Sequence, residues 1–261
     1  MPSLARFGET SLPPLVLLHG FLGTKADWQP LLPKLSQAFH CICIDLPGHG
    51  DNQCELTSLE LDGFAFCVNN IIDRLDCLGV KQFHLFGYSL GGRIALHLAK
   101  AHPERLLSLV LESCHPGMLE SEEKSQRSKN DALWADRLLS LTSKDFLNLW
   151  YQQGVFADLS KVERKQLITK RAADLDLHPK HCLKAIYIST SLALQASLWH
   201  VPTELNCNCY YFTGSQDAKF QAIAALWQAQ APIIVEHIEN AGHNIHQANP
   251  EALIERLTTL I

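Results

Sequence analysis

The chain has 261 residues, of which 47% are hydrophobic and 19% charged, as expected for a soluble globular protein with one large domain or one domain carrying an insertion. Its net charge of −5 provides no basic surface for nucleic acid, and no apolar run approaches the roughly 18 residues of a membrane-spanning helix. The N-terminal segment lacks the long apolar stretch of a signal peptide, so we expect a cytoplasmic protein with no nucleic-acid partner and no stable membrane association.

Six apolar runs bounded by glycine, proline or aspartate are the predicted strands. They are continuous rather than alternating, as in strands of a parallel sheet that is covered on both faces. Helical patterns at 64–79 and 91–103 separate the early runs, and this alternation predicts an α/β fold with a mostly parallel, doubly wound sheet. The runs are LVLLHG (15–20), CICIDLPG (41–48), FHLFGYS (83–89), LLSLVLESC (106–114), CYYFTGS (209–215) and IIVEHIENAG (233–242).

Strand–helix alternation is interrupted between Glu112 and about Trp199. This stretch has helical patterns and more charge, and it contains no clear central strand. We therefore predict one core, made of residues 1–116 and 200–261, with a helical cap at 117–199 inserted into it. Such a cap suits the carboxyl ends of the strands, where α/β proteins bind their ligands.

The nine cysteines do not resemble a disulfide framework, because their number is odd and the chain is long. Two pairs, Cys41 with Cys43 and Cys207 with Cys209, have the spacing of neighbours on one face of a strand. Metal binding is the alternative, but no Cys-x-x-Cys occurs. We expect buried, reduced thiols and no metal site.

The segment FHLFGYSLGGRIAL predicts a nucleophilic serine at Ser89, because it combines a strand, Gly-x-Ser-x-Gly and a helix. The alternative is a serine that merely caps the helix. Asp217 and His243 follow the last two predicted strands, in the order that a Ser-Asp-His triad has on this kind of sheet. His246 is a rival base, although Gly242 directly before His243 favours His243.

The backbone of two neighbouring turns completes this candidate site. LLHGFLG (17–23) follows the first confident strand, and a His-Gly-x turn there can direct a backbone N–H toward the serine. We predict that the N–H groups of Phe21 and Leu90 form an oxyanion hole.

Arginines suggest the charge of the ligand. Arg93 lies one helical turn after Ser89, and the predicted cap adds Arg127 and Arg171. Guanidinium groups bind carboxylates in a bidentate manner, so three arginines near one serine would suit a ligand with several carboxylates. The alternative is that they form salt bridges or are solvated on helix surfaces.

Motifs in both the core and the predicted cap carry a closer resemblance. They are GYSLGGR (87–93), ESCHPG (112–117), DFLNLWYQQGVF (145–156), TSLALQ (190–195), DAKF (217–220) and AGHNIH (241–246). Together these motifs resemble the 2-succinyl-6-hydroxy-2,4-cyclohexadiene-1-carboxylate synthases of menaquinone biosynthesis, within the α/β-hydrolase superfamily. Two departures are Cys114, where the family typically has glycine, and the short segment before the first parallel strand, where the superfamily usually has antiparallel strands.

The resemblance implies a lyase that eliminates pyruvate from a small tricarboxylate, without a cofactor. His243, oriented by Asp217, would draw the proton from Ser89, and the serine oxygen would act as the base on a ring proton. The substrate contacts implied by the resemblance are Tyr88, Arg93, Arg127, Trp150, Arg171 and Phe220. We expect a monomer or a weak homo-oligomer.

Two other function classes are open at this point. A carboxylesterase or thioesterase would use the same triad on an anionic ester and would cleave simple esters. A non-enzymatic binding protein on this fold is the third class, and the complete Ser-Asp-His set argues against it.

Overall fold

The computed structural model describes residues 3–53 and 62–261, and its centre is one seven-stranded sheet. The strands are β1 (Leu4–Phe7), β2 (Pro14–Leu18), β3 (His40–Ile44), β4 (Phe83–Tyr88), β5 (Leu106–Glu112), β6 (Cys209–Gly214) and β7 (Ile233–Ile238). Their order in the sheet is β1-β3-β2-β4-β5-β6-β7, and the neighbours from β3 to β7 are parallel. The predicted fold class is therefore confirmed, and each of the six apolar runs overlaps a strand.

Helices cover both faces of this sheet. Alternate residues of β2 belong to different apolar clusters. Val16 and Leu18 pack with helices α2 (Gly63–Cys77) and α3 (Leu90–Ala101), whereas Leu15 and Leu17 pack with helices α1 (Leu32–Leu35) and α10 (Pro250–Leu260). A strand buried on both sides is apolar at every position, which explains the continuous runs in the sequence. The helices are α1 (Leu32–Leu35), α2 (Gly63–Cys77), α3 (Leu90–Ala101), α4 (Ser121–Ser140), α5 (Ser143–Trp150), α6 (Lys161–Asp176), α7 (Lys180–Ser189), α8 (Ala218–Gln228), α9 (Ile245–Ala248) and α10 (Pro250–Leu260).

Strand β1 was not predicted from the sequence. It has only four residues, is partly exposed and pairs antiparallel with β3 at the edge of the sheet. A short edge strand that carries Arg6 has neither the length nor the apolar pattern of the other runs. It is the antiparallel part that precedes the first parallel strand in this chain.

The segment between β5 and β6 contains helices α4 to α7 and no strand. Their apolar side chains form a separate cluster, which includes Trp134, Phe146, Ile168 and Leu183, and Leu22 from the loop after β2 joins it. The helices of this segment thus pack on one another and also contact a loop at the carboxyl edge of the sheet.

The cysteines in the described ranges, 3–53 and 62–261, are all free thiols, and Cys54 lies outside these ranges. Cys41, Cys43 and Cys209 are buried, whereas Cys207 is half-buried just before β6. Within the same ranges, no group of histidine, cysteine and acidic side chains is suited to hold a metal ion. No helix there has both the length and the apolar character that a membrane crossing requires.

Candidate active site

Ser89 occupies the sharp turn between β4 and α3. Its backbone has φ 50° and ψ −107°, a strained conformation for a residue other than glycine. Gly91 permits the turn, because a Cβ atom there would collide with the carbonyl oxygens of Leu18 and His19. Helix α3 begins at Leu90, so Ser89 lies at the positive end of the helix dipole. This geometry is that of a nucleophile elbow.

The structure brings His243 and Asp217 to Ser89. His243 Nε2 lies 3.4 Å from Ser89 Oγ, and His243 Nδ1 lies 3.0 Å from Asp217 Oδ2. The other carboxylate oxygen of Asp217 accepts the Phe220 N–H at 3.3 Å, which attaches the aspartate to the first turn of α8. The long Ser–His separation is common in enzymes without substrate. The chain of contacts from carboxylate to imidazole to hydroxyl is thus in place.

His246, the rival base, has a different partner. Its Nδ1 lies 2.9 and 3.0 Å from the two carboxylate oxygens of Glu112. Both side chains are at most 1% exposed. Of the two histidines, the structure therefore brings His243, which the sequence favoured, to the serine, whereas His246 is hydrogen-bonded to the buried Glu112.

Ser89 opens into a cavity of about 180 Å³, called the Ser89 cavity below. The cavity lies between the core loops and the helices of 117–199, and both Phe21 and Leu90 line it. In the described part of the chain, its charged lining residues are Arg93, Arg127 and Lys219, and no carboxylate lines it. The aromatic lining residues are Phe21, Trp150, Phe156, Tyr187 and Phe220.

Arg93 lines the Ser89 cavity and also contacts the segment between β5 and β6. Its Nη1 donates a hydrogen bond to the Thr190 carbonyl oxygen at 2.7 Å and to Gln195 Oε1 at 3.4 Å. The guanidinium lies 5.6 Å from the centre of the Phe64 ring. Burial and the neighbouring Arg127 lower the pKa of Arg93 to about 10. The arginine one turn after Ser89 thus joins the core to residues beyond α7.

Lys219 and His115 also line the Ser89 cavity, although neither was among the candidate residues from the sequence. Burial and the positive charge of Arg127 lower the pKa of Lys219. Burial, together with Lys219, Arg93 and Arg127, lowers the pKa of His115 to about 4, so its imidazole is neutral near pH 7. Lys219 lies in the motif DAKF and His115 in the motif ESCHPG, so these two motifs could have indicated them as site residues.

Arg171 is not brought to the Ser89 cavity. Its Nη2 pairs with Asp27 Oδ2 at 2.5 Å, and both side chains are less than a tenth exposed. Arg171 lines a neighbouring cavity of about 550 Å³, called the Arg171 cavity below, and Tyr88 lines that cavity too. Helix α6 holds Arg171 over the buried Asp27, whose carboxylate requires a cation in that position. The expected set of three arginines around the serine is thus two arginines and a lysine.

Trp150 and Phe220, which the family resemblance implied as substrate contacts, both line the Ser89 cavity. The Trp150 ring is 5.1 Å from Phe21, and the Phe220 ring is 4.8 Å from His243. Phe21 and Phe156 line both cavities, so these two rings lie between them.

Comparison with known proteins identifies a fold family and named relatives within it. The alpha/beta hydrolase fold family matches residues 13–250. A 2-succinyl-6-hydroxy-2,4-cyclohexadiene-1-carboxylate synthase of Pectobacterium atrosepticum is 38% identical over 250 residues, covering 95% of this chain and 94% of its own. One of the same name from an Enterobacter species is 36% identical over 256 residues, covering 98% and 94%. The solved structure of MenH from S. aureus superposes with a TM-score of 0.89 at 24% identity, over 100% of this chain and 98% of that one.

The solved structure supports the fold, and the two relatives extend over nearly the whole chain, including the helical segment between β5 and β6. The chain belongs to the alpha/beta hydrolase fold family and, within it, to the 2-succinyl-6-hydroxy-2,4-cyclohexadiene-1-carboxylate synthases.

Proposed function

We propose that this chain is a carbon–oxygen lyase of menaquinone biosynthesis. It eliminates pyruvate from 2-succinyl-5-enolpyruvyl-6-hydroxy-3-cyclohexene-1-carboxylate and yields the cyclohexadiene carboxylate in the family name. The observation that carries the proposal is a serine in a cavity whose charged lining residues, in the described chain, are all cations. The substrate bears a ring carboxylate, a succinyl carboxylate and an enolpyruvyl carboxylate, so the charges are complementary.

The reaction begins with removal of the ring proton next to the succinyl ketone. His243, oriented by Asp217, accepts the Ser89 proton, and the serine oxygen takes the ring proton from C2. The electron pair forms the C2–C3 double bond, the existing double bond moves to C4–C5, and the C5–O bond breaks. Enolpyruvate leaves, gains a proton and becomes pyruvate. No acyl-enzyme forms and no water is consumed.

Negative charge develops on the succinyl ketone oxygen during proton removal. Leu90 is the first residue of α3, where backbone N–H groups have no partner within the helix. Leu90 and Phe21 line the same cavity as Ser89, and their N–H groups would stabilise the enolate oxygen. In this role the oxyanion hole holds an enolate rather than a tetrahedral intermediate.

The remaining lining residues orient the substrate. Arg93, Arg127 and Lys219 bind carboxylates, and His115 donates a neutral hydrogen bond. Trp150 and Phe220 pack on the ring of the substrate. Tyr88 and Arg171 contact the part of the substrate that extends past Phe21 into the Arg171 cavity.

Residues 117–199 act as a cap that covers the reaction, on a core made of 1–116 and 200–261. We place the protein in the cytoplasm as a monomer or weak homo-oligomer. Its substrate is a small tricarboxylate, and the proposed steps need only side chains and backbone of this chain.

Pyruvate release tests the proposal. The precursor is made freshly by the preceding reaction, and pyruvate is coupled to a dehydrogenase for wild type, Ser89→Ala, Arg93→Ala and the surface control Arg256→Ala. We expect fast release in wild type and the control, a loss of kcat of about 10³-fold or more in Ser89→Ala, and a raised KM in Arg93→Ala.

A p-nitrophenyl ester is assayed in parallel, since the same serine and oxyanion hole would serve an esterase. Brisk ester cleavage, with pyruvate no faster than the spontaneous rate, would replace the lyase by a carboxylesterase or thioesterase. Slow ester cleavage with fast pyruvate release supports the lyase.

A further inference from the structure

Asp131, on α4, is a buried carboxylate outside the triad. It is only 1% exposed, and three side chains donate hydrogen bonds to it. Arg127 Nε and Tyr187 Oη each lie 2.8 Å from Oδ1, and Ser191 Oγ lies 2.6 Å from Oδ2. Burial of a carboxylate costs free energy because the charge loses its hydration, and these three hydrogen bonds offset that cost.

The contact with Arg127 has a directional consequence. Only Nε of Arg127 is used, and within the described ranges neither of its terminal nitrogens has a hydrogen-bond partner. A guanidinium is planar, so a bond that fixes Nε also fixes the directions of the remaining N–H groups. Arg127 lines the Ser89 cavity, and its two terminal nitrogens have the fork geometry that suits a carboxylate.

The charge of Asp131 also acts on the cavity. Arg127 is near enough to lower the pKa values of both Arg93 and Lys219, so the three cations repel one another when no ligand is bound. Asp131 lies next to this group without lining the Ser89 cavity in the part of the chain that the structure describes. Its carboxylate offsets the repulsion and leaves the cavity free for an anion.

We propose that Asp131 is a positioning residue that holds the Arg127 guanidinium with its two terminal nitrogens toward a carboxylate of the substrate. The inference rests on the proposed function, since it takes Arg127 as a carboxylate ligand. Asp131 holds Tyr187 in the same way, and the Tyr187 ring lies 4.7 Å from the ring of Phe21 beside the proposed oxyanion hole. One carboxylate thus orients two lining residues that come from different helices, α4 and α7.

The test compares Asp131→Ala and Asp131→Asn with a matched control, Asp136→Asn. Asparagine can still accept from Arg127 and Tyr187, with its amide toward Ser191, but it has no charge. Asp136 is on the same helix and lies 3.3 Å from Lys184 on α7, with its own side chain 76% exposed. The control therefore removes a contact between the same two helices without affecting Arg127. Thermal unfolding of each variant shows that it is folded at the assay temperature.

For pyruvate release, we expect Asp131→Ala to raise KM about 10- to 50-fold and kcat to change by less than about 3-fold. Asp131→Asn should be intermediate, and Asp136→Asn should match wild type. In an Arg127→Ala background, Asp131→Asn should raise KM by less than about 2-fold, because the group that it positions is gone. An equal effect of Asp131→Asn in both backgrounds would overturn the proposal, since it would show a general effect on the helices.

A binding measurement separates this inference from the reaction itself. The probe is 2-succinylbenzoate, which carries a ring carboxylate and a succinyl carboxylate but no enolpyruvyl group, and its Kd is measured by titration calorimetry. Weaker binding to Asp131→Ala than to wild type supports the inference even if wild type releases no pyruvate, in which case only the proposed function fails. Equal affinity of the two proteins for the probe would overturn the inference whatever the turnover.

Discussion

Glu112 contacts both sides of the Ser–His pair, through its carboxylate beside the His243 loop and through its backbone carbonyl at Ser89. Its carboxylate lies 2.9 Å from His246 Nδ1 and accepts a hydrogen bond from the backbone N–H of Ile245 at 2.7 Å. Ile245 comes directly after the loop that carries His243. Its backbone carbonyl accepts the Ser89 N–H at 2.9 Å. The last residue of β5 therefore links the serine turn to the histidine loop.

Glu112→Gln should destabilise the fold, because the substitution keeps the shape but places an amide N–H₂ among groups that already donate. We expect the free energy of unfolding to fall by about 2–4 kcal/mol, measured by urea denaturation. Glu251→Gln is the control, since Glu251 is 83% exposed and its Lys34 partner is 3.7 Å away. It should change stability by less than about 1 kcal/mol. Equal stability of the two variants would show that Glu112 is not a required acceptor.

Lys219 should make carboxylate binding sensitive to alkaline pH. Lysine is cationic below its pKa, and burial and Arg127 lower that pKa, so the cavity loses a charge at a lower pH than an ordinary lysine would cause. We expect the affinity of wild type for 2-succinylbenzoate to decline as pH rises from 7 to about 9.5.

Lys219→Arg is the control for this titration, because a buried arginine loses its proton at a higher pH than a lysine in the same place, and Arg93 in this cavity keeps a pKa of about 10. Its affinity should vary less with pH than that of wild type. Parallel curves for the two proteins would assign the decline to another group.

Arg171→Met should lower the free energy of unfolding, whether or not Arg171 contacts the substrate. The variant leaves Asp27, which is 4% exposed, without its close cation, and Lys170 Nζ at 3.9 Å replaces it only in part. We expect a loss of about 3 kcal/mol in the free energy of unfolding, partly recovered in the double variant Asp27→Asn/Arg171→Met. A raised KM in that double variant would support contact of Arg171 with the substrate, whereas an unchanged KM would leave Arg171 a purely structural role.

Substitutions at Gly92 and Cys114 should have non-additive effects on stability. A Cβ atom at Gly92 would lie 2.6 Å from the Cβ of Cys114, closer than two such atoms can approach. We expect Gly92→Ala to lower the free energy of unfolding by about 1–3 kcal/mol, and Cys114→Gly to reduce that loss when both are present. Strict additivity of the two changes would contradict the contact.

The parts of the molecule that were predictable are those governed by local pattern. Continuous apolar runs predicted the strands, and Gly-x-Ser-x-Gly between a strand and a helix predicted the turn at Ser89. The chain order of Ser89, Asp217 and His243 follows from parallel strands whose carboxyl ends share one edge, so sequence alone could bring these loops together. β1 was missed because four residues at an edge carry almost no pattern.

The partners of individual charges were not predictable, because they depend on how the helices of 117–199 pack on the core. Arg171 and Arg127 look alike in the sequence, yet one is opposite the buried Asp27 and the other faces the Ser89 cavity. Lys219 lines that cavity from the first turn of α8, which Asp217 caps. The choice between His243 and His246 was settled by the 3.4 Å separation of His243 Nε2 from Ser89 Oγ and by the pairing of His246 with Glu112.

The Arg93 guanidinium donates a hydrogen bond to the Thr190 carbonyl, so the same group contacts both the backbone after α7 and the Ser89 cavity. If the cavity binds an anion as proposed, packing of the helices between β5 and β6 and binding of that anion are thermodynamically linked at Arg93: fixing residues 190–195 would preorganise the site, and a bound anion would order those residues.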